Sequence, residues 1–191
     1  MAMTAKDLPV GGAMPEFCLP IGGQAGQWCS TQAQGKPLLV LFICNHCPYV
    51  VHISKRLGAL ARQWQQQGVQ VVGINSNDAL TYPDDAPEKM PAEALRAGYH
   101  FPYLFDAEQR VAKAFNAVCT PDLFLFDAAG KLFYHGQFDA SRPKNDLPVT
   151  GEDLSAAIAA MLAGAEPSAK VLPSIGCSIK WRPGNEPEDW V

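Results

Sequence analysis

An α/β fold with a central mixed sheet flanked by helices is predicted by three observations in the 191-residue sequence. The run Leu38-Leu39-Val40-Leu41-Phe42-Ile43 is apolar without a break, which suits a strand buried on both faces. An amphipathic stretch then leads to a second buried run, Val69–Ile74, and a strand–helix–strand unit of this kind makes a parallel pair. Further on, Leu123–Phe126 and Leu132–Gly136 flank the turn Ala128-Ala129-Gly130-Lys131, an antiparallel hairpin. The length fits one domain, residues 1–191, with a core over 11–165 and a tail over 166–191.

Composition excludes several classes. Hydrophobic residues are 48% and charged residues 18%, ordinary for a globular protein. The net charge of −4 gives nucleic-acid binding no support. No apolar stretch approaches membrane-spanning length. Met1–Pro9 lacks the long apolar core of a signal peptide. The expected compartment is therefore the cytoplasm, where the six cysteines stay reduced and a pair of them is catalytic or metal-binding more often than structural.

Residues 1–16 read as an irregular lead-in. Glu16–Leu19 and Gly26–Cys29 are expected as two short strands around Gly22-Gly23, an N-terminal strand extension, with Cys18 and Cys29 as packing cysteines. The long helix begins at Pro48 and buries Val50, Ile53, Leu57, Leu60, Ala61 and Trp64, ending near Gln67 with Gly68 after it. Asn75–Met90 is a long polar loop, and loops of that length often carry function. A short helix runs from Pro91 toward Gly98, and Tyr103–Phe105 is a strand. Asp106 caps a helix through about Asn116 with Val111, Ala112 and Phe115 inward. Thr150 and Asp153 start the last helix as a capping box. The tail carries Val171, Leu172, Ile175, Ile179, Trp181 and Trp190 and is expected to be ordered, packed down by Ile175, Ile179 and its tryptophan, and to bring Cys177 toward the Cys47 end of the sheet.

Cys47 closes the sequence Cys44-Asn45-His46-Cys47-Pro48 at the junction of the buried strand with the long helix. A sulfur at a helix N-terminus meets unpaired N–H groups and the positive end of the helix dipole, so it ionises easily, and the thiolate is the reactive species. His46 is adjacent and assists if it carries charge; a solvent-facing loop residue is the plain alternative. Tyr49 shields the site and His52 is expected on the surface.

The element order and the stretches Phe42–Val50, Ala117-Val118-Cys119-Thr120-Pro121-Asp122 and Gly176-Cys177-Ser178-Ile179-Lys180-Trp181 resemble the thioredoxin-like superfamily, and within it the peroxiredoxin-like AhpC/TSA branch. Pro15-Glu16-Phe17-Cys18-Leu19-Pro20 also resembles the start of a redoxin domain. The resemblance implies a thioredoxin-like fold, a nucleophile at Cys47, and at Thr120-Pro121 a cis-proline loop that lies against the nucleophile and receives substrate. It implies thiol–disulfide exchange, in which Cys47 attacks a disulfide and a second thiol resolves the mixed disulfide. Cys44 is the first candidate for that thiol, with Cys119 and Cys177 behind it. Partners are then a disulfide-containing protein, a small-molecule disulfide or a hydroperoxide, with a thiol reductant, and neither a metal nor a cofactor is required. The pattern departs from peroxiredoxins at Cys44, which stands for a threonine, at Val40, which stands for a proline, and near Pro121, where no arginine stands. Peroxide reduction is accordingly the second reading. A third is a metal-binding module using Cys44, His46, Cys47 and Cys177, or a non-catalytic interaction domain on the same fold.

Overall fold

The computed structural model describes residues 2–188. Its strands are β1 (Ala2–Thr4), β2 (Cys18–Pro20), β3 (Gln27–Cys29), β4 (Leu38–Phe42), β5 (Gln70–Asn75), β6 (Tyr103–Phe105), β7 (Cys119–Thr120), β8 (Asp122–Phe126), β9 (Leu132–His135) and β10 (Ile175–Ser178). Its α-helices are α1 (Pro48–Gln66), α2 (Met90–Ala97), α3 (Arg110–Ala114) and α4 (Glu152–Leu162). Five strands form the central sheet in the order β6-β5-β4-β8-β9. β4, β5 and β6 run parallel, whereas β8 and β9 run antiparallel to their neighbours. The sheet is therefore mixed and flanked by helices, a thioredoxin-like fold.

The pleat of β4 divides the core. Leu39 and Leu41 face α1, α2 and α4, meeting Val50, Ile53, Leu57 and Trp64, then Ala97, then Leu154 and Ile158. Leu38, Val40 and Phe42 face the other way, onto Phe17, Leu19, Phe115 and Phe124. On that face Phe115 meets Phe42, Phe124 and Phe126 edge-on at centroid distances of 5.4, 5.3 and 5.9 Å, the arrangement aromatic quadrupoles favour. Gly58 lets α1 approach α2: a Cβ there would stand 2.3 Å from the Ala97 carbonyl oxygen.

Several expectations change. Cys18 and Cys29 are opposed across the β2–β3 pair and joined as a disulfide, so they are not packing cysteines; the strand register brings them together. α3 is shorter than expected and starts after Gln109, whose φ is 60°. Its side chain donates to the Ser76 and Lys180 carbonyls, which holds Gln109 out of the helix, while Asp106 still caps by accepting the Ala112 N–H at 2.9 Å. The Thr150–Asp153 capping box does not form. Instead Asp139 Oδ2 accepts both the Thr150 and Gly151 N–H groups at 2.7 Å, and Gly151 takes the left-handed N-cap position.

The tail is strand rather than irregular over Ile175–Ser178, where β10 lies between β1 and β7 in a second, three-stranded sheet. Ile179 and Trp181 are buried, but Ile175 is 37% exposed and does not anchor the tail. Backbone bonds take over: Ile179 donates to Val118 and Lys180 to the Asn77 side chain, and the Lys180 carbonyl accepts from Asp78 and Gln109. Burial of Ile179 contributes roughly 1.5–3 kcal/mol. Trp190 lies outside the described residues.

Candidate active site

Cys47 is the N-cap of α1, with Pro48 at the first helical position and the Val51 N–H on the Cys47 carbonyl at 2.9 Å. Proline costs nothing there, because that N–H would be unsatisfied anyway. Thr120–Pro121 is cis, and the Thr120 carbonyl faces Cys47, whose thiol donates to it at 3.2 Å. Cys44, one turn of loop earlier, places its sulfur 3.5 Å from the Thr120 hydroxyl. Cys177, on β10, is paired in register with Thr120. Three thiols from a strand end, a helix cap and the C-terminal strand therefore meet at one residue.

Their acidities diverge. The Cys47 thiol is pulled down from the ordinary 9.0 to about 5, chiefly by the hydrogen bond from Cys44, with further bonds from Cys177, the Val50 N–H and Thr120 outweighing the opposing effect of burial. Cys44 is held well above the ordinary value, first because it donates to Cys47, then by burial and the nearby Asp85 charge. Cys177 is pushed up to about 12 by burial and by donating to Cys47. Of the ionised forms of this cluster, one thiolate flanked by two thiols carries the least charge, and a second thiolate would add a like charge beside it. Cys119 is buried, raised well above the ordinary range by burial and the Asp122 charge, and its thiol points to the Pro121 carbonyl at 3.7 Å rather than into the cluster.

The loop after β5 closes one side of the site, through a residue that the sequence reading did not single out. Asp85, fully buried, accepts the Asn45 N–H at 2.8 Å and the Asn77 amide at 2.7 Å, and lies 2.7 Å from His46 Nδ1. The Asn45 amide reaches the Asp84 carbonyl, and the Tyr103 hydroxyl reaches Asn45 Oδ1 at 3.0 Å. No local pattern in Pro83-Asp84-Asp85 marks Asp85 as the inward carboxylate; only the fold of the loop does. His46 is not simply solvent-facing, since its side chain is 32% exposed and its ring lies parallel to Tyr82. His52 is half-buried and bonds the Ser141 hydroxyl at 2.7 Å, so it ties α1 to the Asp139–Arg142 segment rather than pointing to solvent. Among the described residues no helix is long and apolar enough to cross a membrane.

The chain is similar over 96% of its length to an uncharacterized conserved protein from Geobacillus kaustophilus, at 45% identity and a TM-score of 0.92, covering 97% of that chain. A hypothetical protein from Sinorhizobium meliloti 1021 is similar at 45% identity and a TM-score of 0.90, over 94% of this chain and 98% of that one. A secreted Mycobacterium tuberculosis disulfide oxidoreductase homologous to E. coli DsbE shares the fold at a TM-score of 0.58 and 19% identity, over 75% of this chain and 95% of its own. No curated protein sequence matches. The model of the AhpC/TSA family matches residues 10–135, a stretch that holds the Cys44–Cys47 loop, α1 and the cis-proline and leaves Cys177 outside, and on that match the chain belongs to the AhpC/TSA family.

Proposed function

We propose that the protein is a thiol–disulfide oxidoreductase with Cys47 as nucleophile. The observation that carries this reading is the convergence of Cys47, at a helix N-cap, with Cys44 and Cys177 on the one residue Thr120. In the first step the Cys47 thiolate attacks one sulfur of a disulfide, forming a mixed disulfide and expelling the other sulfur as thiolate. Cys44 or Cys177 then loses its proton to the departing thiolate or to water and attacks the Cys47 sulfur. That releases the second substrate thiolate and leaves an internal disulfide, which an external thiol reductant returns to the dithiol. Cys177 is the better placed to be reached by solvent, being half-buried where Cys44 is fully buried.

Access bears on the substrate. Cys47 is 0% exposed, and Gly176 fits β10 against the Thr120 carbonyl so closely that a Cβ would stand 2.0 Å from it. With Cys47 fully buried, any disulfide reaches it only after local opening, and a protein disulfide needs the larger opening. The same burial favours peroxide reduction as a second reading: a hydroperoxide would leave Cys47 as sulfenic acid and an alcohol, and a neighbouring thiol would then close the disulfide with loss of water. No arginine is among the groups that raise the acidity of Cys47, which places disulfide exchange first. A reducing, cytoplasmic compartment is proposed on the four free thiols; the Cys18–Cys29 disulfide is the feature opposed to it.

Mass spectrometry of the protein after diamide treatment tests the reading. The expected product contains Cys47 joined to Cys177 or Cys44. Cys47 left as a free thiol while other cysteines pair would remove it as the nucleophile.

A further inference from the structure

We propose that the reduced protein binds one zinc ion through Cys44, His46 and Asp85, a site that shares Cys44 with the exchange chemistry. The three residues come from the end of β4, the turn before α1 and the loop after β5. Their ligand atoms, Cys44 Sγ, a His46 ring nitrogen and an Asp85 carboxylate oxygen, all lie within 4.8 Å of one another. Zinc takes sulfur at about 2.3 Å and nitrogen or oxygen at about 2.0–2.2 Å in a tetrahedron, which sets ligand atoms about 3.4–3.7 Å apart. The three atoms fall within a 4.8 Å envelope, and the His46–Asp85 pair, at 2.7 Å, would open by about 0.7 Å to share an ion.

The Nδ1 of His46 lies 2.7 Å from Asp85 Oδ2 and has no other partner. In the metal-free protein a proton on Nδ1 bridges the pair, and a zinc ion would take that proton's place. Asp85 is also oriented as metal-binding carboxylates are: its oxygens are fixed by the Asn45 N–H and the Asn77 amide, and its backbone carbonyl accepts the Asn75 amide at 2.9 Å. One sulfur, one nitrogen and one oxygen suit zinc and disfavour magnesium and calcium, which take oxygen ligands. Binding releases the Cys44 proton to solvent, so the dication meets a thiolate and a carboxylate of total charge −2. Three protein ligands leave the fourth position to water.

The test uses the full chain, reduced and stripped with a chelator, titrated with Co²⁺ and then with Zn²⁺. One equivalent of cobalt is expected, with the visible absorption of a tetrahedral site and a near-ultraviolet sulfur-to-cobalt band, both lost on adding zinc. Cys44→Ser should abolish the sulfur band, and Asp85→Asn and His46→Gln should each weaken zinc binding by about tenfold or more. Cys177→Ser should leave it unchanged. His46 is a third exposed, so His46→Gln keeps the test decisive even if Asp85→Asn does not fold. Absence of stoichiometric uptake overturns the proposal. So does uptake that survives His46→Gln and disappears with Cys177→Ser, which would place the metal on the thiols alone. Either failure leaves Cys47 and its disulfide exchange intact, because that reading is tested by disulfide mapping without added metal.

Discussion

Cys177 lies directly across from Thr120 in the β10–β7 pair, and the carbonyl of Thr120 is the acceptor of the Cys47 thiol. The C-terminal strand thus delivers a second thiol to the Cys47 end of the sheet by strand register, on a segment that falls outside residues 10–135.

That register separates the two candidate resolving thiols. Cys177→Ser should leave Cys44 as partner, and Cys44→Ser should leave Cys177. If Cys177 resolves, its serine variant accumulates the mixed disulfide with a small aromatic disulfide, visible by intact mass, while Cys44→Ser turns over. The reverse pattern would assign the step to Cys44. Each variant also removes a donor to Cys47, so each should raise the pH at which Cys47 ionises.

Gly176→Ala should loosen β10. The new methyl would meet the backbone of Thr120 and Pro121, which cannot rotate away, and overpacking of this kind costs about 1–3 kcal/mol. Denaturant unfolding should show that loss, and Cys47 should alkylate faster. Unchanged stability with unchanged labelling would mean that β10 does not cover the nucleophile.

How much of this was legible beforehand follows from the range of each interaction. The junction at Cys47 is local: an unbroken apolar run, a cysteine and a proline at the first helical position specify strand, cap and helix together. Gly68 and Gly98, both in the left-handed region, end α1 and α2 where their sequence positions suggested. Asp85 was not legible, because its inward direction depends on the fold of the whole 75–90 loop onto Asn45. The Cys18–Cys29 bond is not legible for a related reason: each strand is a local pattern, but the register that sets the cysteines face to face is a pairing property. At Gly151 a longer-range carboxylate, Asp139, displaced the local capping signal of Thr150.

Replacing Cys18 and Cys29 together by serine should lower stability by about 2–3 kcal/mol, the chain-entropy value for a short loop, while the alkylation rate of Cys47 stays the same. A changed Cys47 rate would link the N-terminal hairpin to the site. Alkylation trapping in intact cells shows in addition whether this bond exists at the proposed reducing location.

Stability should depend on pH through Cys47. Its acidity is raised by folding, with the folded value at about 5 against an ordinary 9.0, so the folded state binds fewer protons than the unfolded state between those values. The stabilisation is fully present above pH 9 and is lost as pH falls through 5. The reduced protein should therefore gain stability relative to Cys47→Ser as pH rises from 5 to 9. A difference that is flat across this window would place the Cys47 proton equally in both states.

The most direct measurement is the pH profile of alkylation at each cysteine of the reduced protein, read peptide by peptide with a small alkylating agent. Slow access lowers the plateau of such a profile without moving its inflection, so the burial of Cys47 does not obscure its ionisation. Cys47 should inflect near pH 5 and be the thiol that labels at neutral pH, with Cys44, Cys119 and Cys177 silent there. A Cys47 inflection at or above pH 9, or faster labelling of Cys177 at neutral pH, would contradict a thiolate nucleophile at the head of α1.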